Sequence, residues 1–198
     1  MTHAPKTQEL QLSDIPTLRQ RGRQHAEKGA VTPSYAADRG TVLRLLNEAL
    51  ATELVCVLRY RRHYYMVDGL RGEAIKDEFM AHSLEEQGRA DELAQRIVQL
   101  DGAPNFDPKG LAERSHAEYV ECGTVDQMIL ENLVAERIAI ESYKEMIAYI
   151  GARDPTTRRL LESILAKEEE HADDLSTMLR KTAPVAAQRV DLPVRAAG

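Results

Sequence analysis

One eight-residue pattern occurs twice in this chain. "EQGRADEL" runs from Glu86 to Leu93, and "EEEHADDL" from Glu168 to Leu175. Both read Glu-x-x-basic-Ala-Asp-acidic-Leu, 82 positions apart. A second pair keeps nearly the same offset: Glu53 and Tyr60 are seven residues apart, as are Glu136 and Tyr143, 83 positions later. Seven residues is about two helical turns, so each Glu–Tyr pair lies along one helix face. The chain therefore reads as two related halves, each a pair of helices. A pseudo-twofold axis would bring Glu53, Glu86, Glu136 and Glu168 to one level of a shared core.

The punctuation between these repeats fits four long helices. The first spans about 41–67 and stops near Asp68-Gly69; the second spans about 73–100 and stops at Asp101-Gly102. A third begins at Thr124, where "TVDQ" offers a capping box, and ends near Gly151. The fourth begins at "DPTT", with Asp154 as N-cap and Pro155 at the first helical position, and ends before Pro184. Each carries an apolar stripe at spacings of three and four, interrupted by the repeated polar residues and, on the second helix, by His82. Such stripes meet in the centre of a four-helix bundle. Short links make the first two and the last two helices antiparallel hairpins. The long connection "DGAPNFDPKGLAERSHAEYVECG" has room for a short helix after Asp107-Pro108 and can cross the bundle's length. The expected organisation is an arm with a short helix over 1–40, the bundle over 41–181, and a flexible tail over 182–198. In the arm, Asp14 is the expected N-cap and Gly29 the stop.

Glutamates in long helices are usually solvated. Glu78, Glu85, Glu131, Glu141, Glu145, Glu169 and Glu170 are read that way. The four stripe glutamates differ, because carboxylates gathered in a core repel one another and are costly to desolvate. A pair of divalent or trivalent ions offsets that cost best, and carboxylate with imidazole ligation suits iron or manganese. One Glu on one helix with Glu-x-x-His on its partner is the di-iron carboxylate pattern. His171 without that context reads equally well as a satisfied core histidine. His3, His25, His63, His82 and His116 fall outside the repeat and read as structural or surface groups; His82, one turn before Glu86, is a candidate to support a ligand. Tyr60 and Tyr143 read as core volume with hydroxyls bonded to carboxylates, and Cys56 as small core packing.

At "LNEALATELVCVLRY", "EEQGRADELAQRIVQLDGAPN", "ENLVAERIAIESY" and "LAKEEEHADDL" the chain resembles the ferritin-like superfamily, most closely bacterioferritins and Dps-like ferritins. The resemblance covers about residues 41–180. It implies an all-α, ferritin-like antiparallel four-helix bundle with a long crossover, assembled into a homo-oligomeric cage. It implies oxidation of Fe(II) with O2 or H2O2 at a di-iron ferroxidase centre, and storage of the ferric product. Glu53, Glu86, Glu136, Glu168 and His171 then look like the iron ligands, with Glu86 and Glu168 bridging and Tyr60 supporting them. The family pattern has His where this chain has Arg89. Guanidinium stays protonated and has no lone pair to give. It cannot ligate iron, but it can stand in for one cation beside Glu86 or Glu168. One metal subsite is then intact and the other weakened or replaced; alternatively, Arg89 turns outward and water completes the second iron. Haem-holding bacterioferritins use a Met after the second-helix Glu, where this chain has Gln87, so haem is not expected.

Composition bounds the remaining readings. The net charge is −6. Residues 1–40 carry six Lys or Arg against four Asp or Glu, which leaves −8 on the rest. An acidic body favours cations over nucleic acid. The basic arm "RQRGRQHAEK" keeps open a Dps-like DNA-protecting role through phosphate contacts, and loss of a metal subsite at Arg89 keeps open a non-catalytic assembly. No apolar run approaches a membrane span, and the polar N-terminus lacks a signal-peptide core, so the expected location is cytoplasmic. Cys56 and Cys122 form no CxxC pair, which excludes a zinc-ribbon site. The smaller dodecameric cage is the expected assembly, because the tail has too little apolar periodicity for a fifth helix.

Overall fold

The computed structural model describes residues 12–68 and 72–182. The polar N-terminal segment, the Gly69 end of the first link and the tail after Thr182 fall outside the described residues. The described elements are α1 (Ile15–Arg23), a 3-10 turn (Ala26–Lys28), α2 (Arg39–Met66), α3 (Glu73–Gln99), α4 (Leu111–Arg114), α5 (Val125–Ile150) and α6 (Pro155–Thr182). There is no strand among the described residues. The long helices α2, α3, α5 and α6 form the four-helix bundle that the apolar stripes imply.

The caps explain where each helix starts. Asp14 accepts the Thr17 N–H at 2.8 Å and opens α1. α2 begins at Arg39, two residues before the sequence-based start, because Asp38 is its N-cap and accepts the Thr41 N–H at 3.1 Å. Thr124 caps α5, but the box is shifted: Gln127 returns its bond to the N–H of Gly123 at 3.3 Å, not to that of Thr124. Asp154 caps α6 through the Thr157 N–H at 3.0 Å. The same carboxylate pairs with Arg96 of α3 at 2.9 Å and accepts the Tyr35 hydroxyl at 2.9 Å. One buried residue thus starts a helix, joins the two hairpins and holds the arm. Breaking a buried pair of this kind costs about 3–5 kcal/mol.

α2 packs along α3 and α5 along α6, with α2–α5 and α3–α6 contacts between the hairpins. The connection from α3 to α5 runs the length of α2. Asn105 N–H donates to Asn47 at 2.7 Å, His116 N–H to Thr52 at 2.9 Å, Arg59 to the Glu118 carbonyl at 2.8 Å, and His63 meets the Val120 carbonyl at 3.2 Å. The partners advance together along both segments, so the crossover lies parallel to α2.

The core has two apolar clusters. One includes Leu46, Leu50, Leu93, Ile97, Ile150 and Leu161. The other includes Tyr60, Phe79, Met128, Ile129 and Leu175. The polar residues of the repeat fall between them on every helix.

Candidate metal centre

Glu53 of α2, Glu86 and Arg89 of α3, Glu136 of α5, and Glu168 and His171 of α6 all come to this middle layer. None exceeds 6% exposure. The helical period places them there: each sits on its helix's buried stripe, and four stripes converge at one height. One oxygen or nitrogen each from Glu86, Glu136, Glu168 and His171 lie within 4.8 Å of one another. Glu53 meets Glu86 carboxyl to carboxyl.

Arg89 faces inward among them. Its Nη1 lies 2.9 Å from Glu168 Oε1 and 3.1 Å from Glu86 Oε1. Its Nη2 lies 3.1 Å from His171 Nε2 and 3.5 Å from Glu85 Oε2. The outward orientation of Arg89 is therefore not what the structure has. The tyrosines bond crosswise between the halves: Tyr60 donates to Glu136, and Tyr143 donates to Glu53.

The carboxyls divide in charge. Burial pushes Glu53 well above the usual carboxylate range, and the charge of Glu86 adds to it. Burial likewise raises Glu168, followed by the charges of Glu86 and Glu136. Burial also acts on Glu86, but hydrogen bonds from Glu53 and His171 and the charge of Arg89 outweigh it and hold its pKa at about 2. Burial works against charge on His171, and the Glu86 hydrogen bond and the Glu136 charge more than offset it, so the ring is raised. Arg89 is the fixed cation around which the ionised carboxylate settles.

Two carboxylate oxygens of this layer stay without a hydrogen-bond partner although buried, Glu53 Oε2 and Glu136 Oε2, while His171 Nδ1 lies 3.4 Å from Glu86 Oε1. A buried polar atom left unpaired costs about 1–3 kcal/mol. Two such oxygens in a cluster of four carboxylates and an imidazole are lone pairs that face no donor, so the residue set fits a metal ion of the iron or manganese type.

Several neighbours lie outside the ligand set read from the sequence, of which His82 alone was a candidate to support a ligand. His82 stacks on His171 with ring centroids 3.8 Å apart and planes 8° from parallel. Its Nδ1 lies 3.2 Å from the Tyr60 hydroxyl and its Nε2 3.3 Å from Glu78 Oε1. Burial, then His171, lowers its pKa to about 3, so the ring is neutral. Its place on the stripe one turn before Glu86 was the available signal. Glu85 reads as solvated and is half exposed, yet its carboxylate lies 3.0 Å from His171 Nε2. Arg59 gave no signal within the basic run "RYRR". It is fully buried beside the site, donating to Asn132 at 2.9 Å; Asn132 in turn meets His63 Nδ1 at 3.2 Å. Gln87, the position relevant to haem, donates to Asp91 at 3.2 Å.

Four core glutamates, two crossed tyrosines and a Glu-x-x-His on the last helix make this a four-helix bundle with a buried carboxylate layer. Residues 43–185 match the family described as the ferritin-like domain. Bacterioferritin BfrA of Mycobacterium tuberculosis is 34% identical over 139 residues, covering 70% of this chain and 83% of BfrA. A solved structure described as a dodecameric thioferritin, the bacterioferritin-related protein from Bacteroides fragilis, superposes with a TM-score of 0.73 at 30% identity, covering 79% of this chain and 94% of that one. Dps from Thermosynechococcus elongatus superposes with a TM-score of 0.69 at 22% identity, covering 76% and 95%, a likeness of fold. The chain belongs to the ferritin-like family. Among the described residues, no helix is long and apolar enough to cross a membrane.

Proposed function

We propose that this protein oxidises Fe(II) and stores the ferric product inside a homo-oligomeric cage. The observation that carries the reading is the pair of unpartnered buried oxygens, Glu53 Oε2 and Glu136 Oε2, in a layer of four carboxylates beside His171. Glu136, Glu168 and His171 hold iron on the α5–α6 side. Glu53 and Glu86 face it from the α2–α3 side, and Glu86 and Glu168 would bridge a second iron to the first. Each Fe(II) gives up one electron; O2 takes two, with two protons, to become H2O2, and H2O2 takes two, with two protons, to become water. Carboxylate donors favour the harder Fe(III), which assists the oxidation. Tyr60 orients Glu136 through its hydroxyl. Arg89 takes the charge of one cation on the α3 side, so the centre binds one iron well and a second poorly.

Residues 41–181 form the ferritin unit in this reading, with 1–40 as an arm and 182–198 as a tail. A dodecamer is the assembly it favours, in keeping with the relative described as dodecameric. Aerobic addition of Fe(II) to the purified protein, followed by iron stoichiometry per chain and by size, tests the proposal. Oxidation with retention of many irons per chain in a large particle is the expected result. Absence of oxidation at a preserved large size would leave a non-catalytic assembly instead.

A further inference from the structure

His82 has two nitrogens, and its hydrogen bonds assign them different tasks. Tyr60 donates its hydroxyl proton to Glu136. The Tyr60 oxygen is then an acceptor for His82 Nδ1, 3.2 Å away. That bond places the imidazole proton on Nδ1 and leaves a lone pair on Nε2. Nε2 points at Glu78 Oε1, 3.3 Å away, which is also a lone-pair atom. Two acceptors face each other. Asp174 of α6 supplies a third donor, and one atom from each of the three residues lies within 4.8 Å of the others. Metal–ligand bonds of about 2.1 Å to one ion set neighbouring donors about 3.0–3.4 Å apart, so the Nε2–Oε1 spacing is that of two ligands of one ion. A ligating histidine also typically donates its other N–H to a partner that fixes its ring, as His82 does toward Tyr60.

The setting suits a place of entry. Asp174 is exposed, Glu78 is half-buried and His82 is buried, so the trio steps inward from solvent. His82 also belongs to a second donor group with Glu136 and His171. Its ring lies flat against His171. The matching position in the second half is Ile164, so the feature exists on one side only.

We propose that Glu78, His82 and Asp174 form a second divalent-cation site, outside the carboxylate layer, that loads the buried centre through His82. The binding part stands on its own donors; the loading part rests on the function proposed above. Anaerobic Co(II) binding to the assembled protein, by equilibrium dialysis and stopped-flow absorbance, tests both. Glu78→Gln with Asp174→Asn is expected to lose one Co(II) equivalent per chain. Filling of the buried centre should slow about tenfold, as expected where focused negative charge speeds cation capture, with its final occupancy kept. Glu168→Ala with His171→Ala should lose the buried equivalent and keep the outer one. Asp173→Asn, next to Asp174 and also exposed, should behave as wild type. Equal stoichiometry in wild type and the Glu78/Asp174 double variant, or equal losses in Asp173→Asn, would overturn the site. A lost outer equivalent with unchanged filling would overturn the loading role. No buried Co(II) in wild type, with an outer equivalent sensitive to Glu78→Gln, would sink the function reading and leave this site standing.

Discussion

In the first half of the bundle, Arg89 stands three residues after Glu86; in the second, His171 stands three residues after Glu168. The surrounding frame is otherwise shared. Tyr60 reaches from α2 to Glu136, and Tyr143 reaches back from α5 to Glu53. Both basic residues point into the same layer and lie 3.1 Å apart. The difference is in what each can give. An imidazole offers a lone pair, and a guanidinium offers only protons and charge. A repeated fold can thus keep its geometry while one half places an imidazole and the other a built-in cation in the same layer.

The largest effect should come from the half that keeps its ligands. Glu168→Ala with His171→Ala should lower specific Fe(II) binding and oxidation by more than about 100-fold, because even residues that only support ligands are worth 10–100-fold. Oxidation at the wild-type rate would place the chemistry elsewhere. In the other half, Arg89→Met should destabilise the metal-free protein by about 3 kcal/mol, since it removes the fixed cation from the buried Glu86 and Glu168. Denaturant unfolding would read this directly. His171→Leu, its counterpart, should cost clearly less; equal costs would mean that the two residues play one role.

A smaller effect concerns pH. Glu53 and Glu168 are raised in the fold, so above about pH 4.5 the native state holds protons that the unfolded chain has released. Their contribution is full below that pH and is lost as pH rises through their folded values. Glu86 acts in the opposite sense: held at about 2, it adds stability above 4.5 that is lost as pH falls toward 2. Between about 4.5 and 6.5 the depressed His63 and His82 act in the opposite sense, because the unfolded chain protonates them and the fold does not. Metal-free protein should therefore lose stability as pH rises above about 6.5, and bound Co(II) should flatten that slope while releasing protons. A slope unchanged by Co(II) would contradict the assignment. The smallest effect tests the likeness of the halves. Tyr143→Phe removes one buried hydrogen bond and should cost about 1 kcal/mol, and Tyr60→Phe removes two, to Glu136 and from His82, and should cost about 2 kcal/mol. Costs differing several-fold would show that the tyrosines are not equivalent.

Much of this comparison was legible in the sequence, because helical periodicity places a residue on a face whatever its chemistry. Glu53, Glu86, Glu136, Glu168 and His171 could be grouped from spacing alone, and the caps at Asp14, Thr124 and Asp154 from residue type. Contacts that depend on side-chain direction were not. Glu85 and Glu78 sit at ordinary surface positions, and only their reach toward His171 and His82 gives them a part. Arg59 is one of several basic residues in a run, and its burial follows from the crossover laid along α2, which no local pattern encodes. Arg89 was readable as a misfit, but its inward turn followed only once Glu86 and Glu168 were seen within 3.1 Å of its Nη1.

The most direct measurement is anomalous diffraction at the iron edge from Fe-soaked crystals of wild type and Arg89→His. Wild type should give one strong peak beside Glu136, Glu168 and His171, and a weak or absent one toward Glu53 and Glu86. Arg89→His should raise the second peak to match the first. Two peaks of equal height in wild type would contradict the account, because Arg89 would then occupy no cation's place.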